Sequence, residues 1–317
     1  MTNPEISVII PFLNEEENLP DLITALETFA PTMEVPIEVV FVDDGSTDGS
    51  VAVLRSMQFR HFTAQVVKLS RNFGSHAAVR AGFAAAQAPN CVWLGADLQE
   101  PLEIIRLGYE KIREGFDLVC VQKRSVRVSA SEETFSRLYS KLIRRYAIAG
   151  YPEKGVNTIF VGRKVREQLL LNPESNSSVV LQCLSMGYRQ AVLNVDYLER
   201  KRGVSKWSFG KKLKLMIDSF VAFSYFPIRM VSVLGFLFAL IGGLIALYVV
   251  IVKISGIAEV TLGWTSLLSI LMIGFGLTNI SLGIIAEYLW RTLDASRKRP
   301  PYLIDSIEDL RREEGKC

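Results

Sequence analysis

Four clusters of side chains stand out by type and spacing: Pro11 to Asn18 (PFLNEEEN), Asp43 to Gly49 (DDGSTDG), Trp93 to Pro101 (WLGADLQEP) and Arg200 to Lys206 (RKRGVSK). The first two are acidic where a bare phosphate would call for lysine or a helix N-terminus. Carboxylates at such places suit the hydroxyls of a ribose and the donors of a base, as the acid of dinucleotide-binding folds does. Asp44 or Asp43 would be such an acceptor. The same stretch also reads as a turn, with Ser46, Thr47 or Asp48 capping the helix that follows. Asp97 and Gln99 are two apart, so on a chain still extended there both side chains leave one face. A carboxylate and an amide oxygen suit Mg²⁺ or Mn²⁺, which take few protein ligands and fill their remaining positions with water and substrate phosphates. Such an ion would stabilise a departing nucleoside diphosphate. A capped helix start, with Pro101 at the first helical position, is the structural alternative. The basic run suits a phosphate, or else an anionic leaflet at about 1 kcal/mol per basic residue.

The elements that must position these groups are legible as short β-branched runs at Ile6 to Pro11, Ile37 to Asp43, Gln65 to Leu69, Cys91 to Gly95 and Asp117 to Val121, separated by helical periodicity. Unbroken apolar strands in βαβ alternation imply an α/β fold with a mostly parallel sheet covered by helices on both faces. In such sheets ligands bind beyond the carboxyl ends of the strands, and each acidic cluster follows a strand end. Ser125 to Ser136 is polar and Ser-rich, and is expected to be a loop over the site that orders when substrate binds.

The last third differs in kind. Hydrophobic residues make up 49% of the chain and charged residues 22%, and the mean hydropathy of +0.24 reflects apolar residues concentrated toward the C-terminus. Residues 207–227 are expected to form an amphipathic helix in the membrane interface, opening with lysines and continuing with aromatics. Ile228 to Val252 and Trp264 to Leu289 are each about 25 residues of apolar sequence, enough to cross a hydrocarbon core of roughly 30 Å. Lys206, Lys211, Lys212, Lys214 and Arg229 precede the first span and Arg291, Arg297, Lys298 and Arg299 follow the second, while the loop between offers Lys253 and Glu259. This asymmetry puts both termini in the cytoplasm, and the start of the chain shows no basic region followed by an apolar one. Gly235, Ala239 and Gly243 would let the spans pack closely, and Glu287 is read as snorkelling to the interface. The expected organisation is a catalytic domain over 1–206, the interfacial helix, two spans within 228–290 and a cytoplasmic tail over 291–317. A net charge of +3 with no basic, aromatic-interleaved stripe in the first two hundred residues argues against nucleic acid. Cys91, Cys120, Cys183 and Cys317, with His61 and His76, are spaced for neither zinc nor a disulfide framework.

PFLNEEEN, VDDGSTDGS, LSRNFGSHAAVRAG, ADLQEP and ERKRGVSKWSF occur in the order seen in family 2 glycosyltransferases of the polyprenyl-phosphate type, which the chain resembles over roughly residues 5 to 230. The group includes dolichyl-phosphate mannose synthase and bacterial relatives with two C-terminal spans. The resemblance implies a GT-A, Rossmann-like domain and an inverting, metal-dependent transfer of a sugar, UDP-hexose favoured, to polyprenyl (undecaprenyl) phosphate at the inner membrane. It implies that Pro11, Leu13, Glu15, Asp43, Asp44 and Ala96 hold the nucleotide-sugar, and that Asp97 and Gln99 hold Mg²⁺ or Mn²⁺. By the same resemblance Arg124 meets the diphosphate or the acceptor phosphate, and Arg200, Arg202, Ser205 and Lys206 meet the acceptor phosphate at the membrane surface.

Two departures from that family matter. Gly95 stands where an Asp is common, removing one donor or metal contact, and Asn157 stands where an Asp has been proposed as the base. The second loss is survivable: a phosphomonoester has a second pKa of about 6, so a polyprenyl phosphate is largely a dianion at neutral pH and attacks without deprotonation. Asn157 is then a residue that orients sugar or acceptor. Two other readings are a processive polysaccharide synthase, which would resemble its relatives in a Gln-x-x-Arg-Trp motif and carry more spans, and a catalytically silent scaffold or lipid-linked sugar transporter. The nucleoside and metal motifs argue against the silent reading. A homo-oligomer through the spans is compatible with the sequence.

Overall fold

The computed structural model describes residues 3–124, 130–174, 177–198, 221, 223–255 and 263–310. Strand β1 (Ile6–Phe12) is followed by helix α1 (Leu19–Phe29), β2 (Ile37–Asp43), α2 (Ser50–Ser56), β3 (Thr63–Leu69), α3 (Ser75–Ala85) and β4 (Asn90–Trp93). Then come α4 (Glu103–Arg113), β5 (Leu118–Lys123), α5 (Ala130–Tyr146), β6 (Thr158–Val161), α6 (Arg163–Leu171), α7 (Val179–Ser185) and β7 (Gln190–Val195). Two long helices, α8 (Phe226–Ser255) and α9 (Trp264–Arg297), precede a last strand, β8 (Ile304–Asp309). The strands form one sheet in the order β7-β5-β6-β4-β1-β2-β3-β8. Strands β1 to β4, β5 and β7 run one way, and β6 and β8 run against them. The mostly parallel, doubly covered sheet expected from the sequence is therefore present.

The central strands are mostly apolar because both faces are covered: all seven residues of β2 are buried, the acids Glu38 and Asp43 among them. One face packs Val8, Ile10, Val39, Phe41, Val92, Val119 and Phe160 against α1, α2 and α4. The chain steps from β1 outward through β2 and β3, then returns to the other side of β1 as β4. That reversal makes the carboxyl ends of β1 and β4 a topological switch point, where open α/β sheets bind ligands. At the opposite edge a buried acid is purely structural. Glu38 accepts hydrogen bonds from Ser7 Oγ at 2.5 Å, Gln65 Nε2 at 2.8 Å and the Gln87 amide at 2.9 Å.

Helix α5 corrects part of the expected loop. It begins at Ala130, so 130–136 is helical, and its later turns bury Ser140 and Ile143 three residues apart on one face. Residues 125–129 lie outside the described residues, as do the expected interfacial helix over 207–220 and the basic run from Arg200 to Lys206.

The chain divides into two compact units, residues 1–219 with 299–317, and 220–298. In the second unit, α8 and α9 are long and apolar enough to cross a membrane, over Phe226–Val252 and Ile270–Arg297. Close packing at Gly235 and Gly243 is not made: a Cβ added at either meets nothing within 4 Å among the described residues, and the glycine that approaches the other helix is Gly274, 3.5 Å from Phe238. Near the end of α9, Arg291 donates to Oε1 of Glu287 one turn earlier at 3.1 and 3.2 Å. Asn279 satisfies its amide on the Phe275 carbonyl of its own helix at 2.9 Å. After α9 the chain returns to the first unit, where β8 pairs antiparallel with β3 and the Arg55 guanidinium forks onto Glu308 at 2.5 and 2.9 Å.

Candidate active site

The loops after β1 and β2 are zipped together by side chains reaching backbone amides. Asn14, at φ 54°, accepts the Thr47 amide at 2.8 Å on Oδ1, and its own amide donates to Ser46 Oγ at 2.9 Å. The Glu15 amide donates to Ser50 Oγ at 2.9 Å, and Gly49 donates to Glu16 Oε2 at 2.9 Å. Asp48 accepts the Ser50 amide at 3.1 Å and hydroxyl at 2.6 Å, so the turn half of the alternative for DDGSTDG holds, while the N-cap of α2 is Gly49 and none of Ser46, Thr47 and Asp48 occupies that position. Glu15 binds Asn18 Nδ2 at 2.6 Å.

Asp43 and Asp44 are both buried but differ in what their oxygens do. Both oxygens of Asp44 are used by the β3–α3 loop: Oδ1 accepts the Phe73 amide at 2.7 Å and Oδ2 the Gly74 amide at 2.9 Å. Burial raises the Asp44 carboxyl above the usual range, against the pull of those two amides. Gly45 makes the approach possible, since its φ is +80° and an added Cβ would stand 2.7 Å from the Asn72 nitrogen. Asp43 spends Oδ1 on the Ser46 amide at 2.8 Å, while its buried Oδ2 has no hydrogen-bond partner among the described residues. Of the two acids read as nucleoside acceptors, Asp43 keeps an oxygen in reserve.

The metal motif is a turn, which corrects the expected extended geometry. Strand β4 stops at Trp93, Leu98 takes a left-handed φ of 55° and packs against the core, and the Gln99 amide donates to Asp97 Oδ1 at 3.3 Å. An Asp closing its own backbone turn two residues on is a common competitor of the extended strand. Asp97 and Gln99 therefore share a tight turn and not a strand face. The Gln99 carbonyl accepts the Leu198 amide at 2.9 Å, tying this turn to the chain after β7. Ala96 is buried beside it. Glu100, quoted in the motif but given no role from sequence, bends back to accept the Gly95 amide at 3.3 Å, and burial followed by the Asp97 charge raises its carboxyl.

Other groups at this edge escaped sequence reasoning because nothing local marks them. The Tyr197 hydroxyl is buried without a partner among the described residues, Lys123 stands 4.5 Å from its ring centre, and burial with the Glu100 and Asp97 charges pushes its pKa up. His76 Nδ1 and Trp93 Nε1 are likewise buried and unpartnered there, their rings 6.1 Å apart. Burial and the Arg80 charge bring the His76 pKa down to about 4.

Asn157 comes to the same edge through the antiparallel β6: its amide donates to the Val121 carbonyl at 3.0 Å and its side chain is exposed. Arg124 lies at the end of β5, paired with Asp196 at 3.0 Å in an open groove that Arg144 and Lys154 also line. Pro11, Leu13 and Glu15 close or follow β1. Arg200, Arg202, Ser205 and Lys206 lie outside the described residues. An implied divalent cation fits the donor set, which is oxygen only: the Asp97 carboxylate and the Gln99 side-chain amide oxygen.

Comparison with known proteins shows the family to which the chain belongs. Residues 7–174 match the family model described as glycosyl transferase family 2. An uncharacterised glycosyltransferase of Synechocystis sp. is 30% identical over 96% of both chains. The undecaprenyl-phosphate 4-deoxy-4-formamido-L-arabinose transferase of Proteus mirabilis is 30% identical over 97% of this chain and 95% of its own, and that of Pseudomonas paraeruginosa 31% over 95% and 90%. Among solved structures, the glucosyl-3-phosphoglycerate synthase of Mycobacterium tuberculosis with Mn²⁺ and UDP aligns at TM-score 0.48 with 18% identity, covering 68% of this chain and 80% of its own.

Proposed function

This chain belongs to glycosyl transferase family 2, and from that membership we propose that it moves a sugar from a nucleotide-sugar, with UDP-hexose the favoured donor, to polyprenyl phosphate at the cytoplasmic face of the membrane. The observation that carries the reading is the convergence at the switch-point edge of an acid with a spare buried oxygen, Asp43, and the oxygen-donor turn of Asp97 and Gln99. The names of the relatives in Proteus mirabilis and Pseudomonas paraeruginosa supply the acceptor class.

In this reading Asp43 Oδ2 accepts a hydrogen bond from the nucleoside, and Pro11, Leu13, Glu15, Asp44 and Ala96 frame its pocket. Asp97 and Gln99 hold the divalent cation, Mg²⁺ or Mn²⁺, whose charge when bound steadies the diphosphate leaving group. Arg124 meets a phosphate, and Asn157 orients the sugar or acceptor by hydrogen bonds. The acceptor phosphate, already a dianion at neutral pH, attacks the anomeric carbon opposite the leaving diphosphate, so the configuration inverts and no side chain need remove a proton. Arg200, Arg202, Ser205 and Lys206 bring that phosphate to the bilayer surface.

Two spans with both ends on one side fit the pairing of β8 with β3, because the chain re-enters the unit it left. The positive flanks put that side in the cytoplasm. The acceptor assignment is tested by Arg200→Glu in purified membranes. Transfer lost with nucleotide-sugar binding retained supports it, whereas transfer at the wild-type level assigns the basic run to the leaflet and overturns the acceptor assignment.

A further inference from the structure

The proposed cation site is thin as it stands, with one carboxylate and one neutral amide. The loop itself offers a remedy. A Cβ built on Gly95 would lie 3.1 Å from Asp97 Oδ1 and 3.1 Å from Glu100 Oε2. The two carboxylate oxygens therefore flank one point in space, at most twice that distance apart. The volume a side chain at residue 95 would fill is bounded by both acids.

Glu100 reaches this position by folding back over the turn, accepting the Gly95 amide at 3.3 Å, while Asp97 Oδ1 holds the Gln99 amide at 3.3 Å. A carboxylate has about four lone-pair sites, so one long amide bond leaves Glu100 capacity to ligate. The ammonium of Lys123 stands 4.5 Å from the ring centre of Tyr197. Tyr197 precedes Leu198, whose amide donates to the Gln99 carbonyl at 2.9 Å, and its hydroxyl is a buried donor with no partner among the described residues. Two acids converging beside an unused donor form an arrangement that a divalent cation and a ligand oxygen would complete.

We propose that Glu100 supplies the second carboxylate of this chain's divalent-cation site, reaching into the space that Gly95 leaves open, with Asp97 and Gln99 as its partners. The inference rests on the metal reading above. A purely structural Glu100, bracing the loop through the Gly95 amide, is the rival, and the two differ in what a neutral isostere does.

The test uses the full chain in detergent, with Mn²⁺ binding followed by electron paramagnetic resonance in the presence of UDP and with melting measured without metal. Glu100→Gln is expected to weaken Mn²⁺ binding by about 10- to 100-fold. Its metal-free melting temperature should stay at or above wild type, because the change removes one of two neighbouring negative charges. Moving the acid, in Gly95→Asp/Glu100→Ala, is expected to restore Mn²⁺ affinity to within about threefold of wild type. If Glu100→Gln binds Mn²⁺ as wild type does while Asp97→Asn does not, Glu100 only braces the loop and the inference is overturned with the metal reading intact. If wild type binds no Mn²⁺ with UDP present, the metal reading itself falls. Should Glu100→Gln fail to fold, the double variant decides: recovered affinity supports the inference and lost affinity overturns it.

Discussion

Asp43 and Asp44 are adjacent, buried and identical in chemistry, yet replacing each with Asn should give opposite phenotypes. In Asp44→Asn one of the Phe73 and Gly74 amides loses its acceptor, since the new Nδ2 can only donate. Leaving a buried N–H unpaired costs about 1–3 kcal/mol. Part of that is returned, because burial already disfavours the Asp44 charge. A net loss of about 1–2 kcal/mol corresponds to a melting temperature lower by roughly 2–8 °C in a unit of this size. In Asp43→Asn the retained oxygen can still take the Ser46 amide, and the changed position faces no partner among the described residues, so the fold should lose less than about 1 kcal/mol. What disappears is a charged acceptor for the nucleoside, worth about 1.5–3 kcal/mol, or roughly 10- to 150-fold in UDP affinity. Thermal melting and calorimetric titration with UDP read the two effects separately. The reasoning is refuted if Asp43→Asn binds UDP as wild type does, or if Asp44→Asn melts normally and loses binding.

The remaining predictions concern the supports of the site. His76 has a folded pKa of about 4 against an ordinary 6.5, so it folds neutral and must be stripped of a proton. Its contribution is intact above pH 6.5 and is lost as pH falls toward 4, by at most about 3 kcal/mol, and melting between those values should steepen in wild type and flatten in His76→Gln. Gly45→Ala puts a Cβ 2.7 Å from the Asn72 nitrogen at a φ of +80°, so it should cost about 2 kcal/mol or more and loosen the Asp44 contacts, measured by melting. Deleting 299–317 uncovers the β3 edge and should lower the melting temperature and promote aggregation. Arg55→Ala, which removes only an exposed ion pair, should cost under about 1 kcal/mol in the same assay.

Strand ends were legible in the sequence because central parallel strands are buried at every position, as β2 is, and so read as mostly apolar runs. So were the two helices long and apolar enough to cross a membrane, by length. Turn geometry was not. The spacing of Asp97 and Gln99 fits a strand face, but Asp97 turns to accept the Gln99 amide and Leu98 takes positive φ, a competition decided by core packing of Leu98. The division of labour between Asp43 and Asp44 depends on the loop after β3, about thirty residues on, whose amides claim one of them. Tyr197 and His76 reach the edge from distant segments, and Glu100 does so by doubling back, so no local spacing marks them. The return of the tail as β8 was also unmarked: Ile304, Ser306 and Glu308 lie in a charged stretch read as a simple tail, and only the open edge of β3 makes it a strand.

The most direct test of the central claim is the mass of the lipid product when purified membranes containing this chain are given undecaprenyl phosphate, Mn²⁺ or Mg²⁺ and a panel of UDP- and GDP-sugars. The expected product is a polyprenyl monophosphate carrying one sugar, strongest with a UDP-hexose, abolished by chelation and by Asp97→Asn. A product with an added phosphate or several sugars, or transfer that survives both chelation and Asp97→Asn, would contradict that claim.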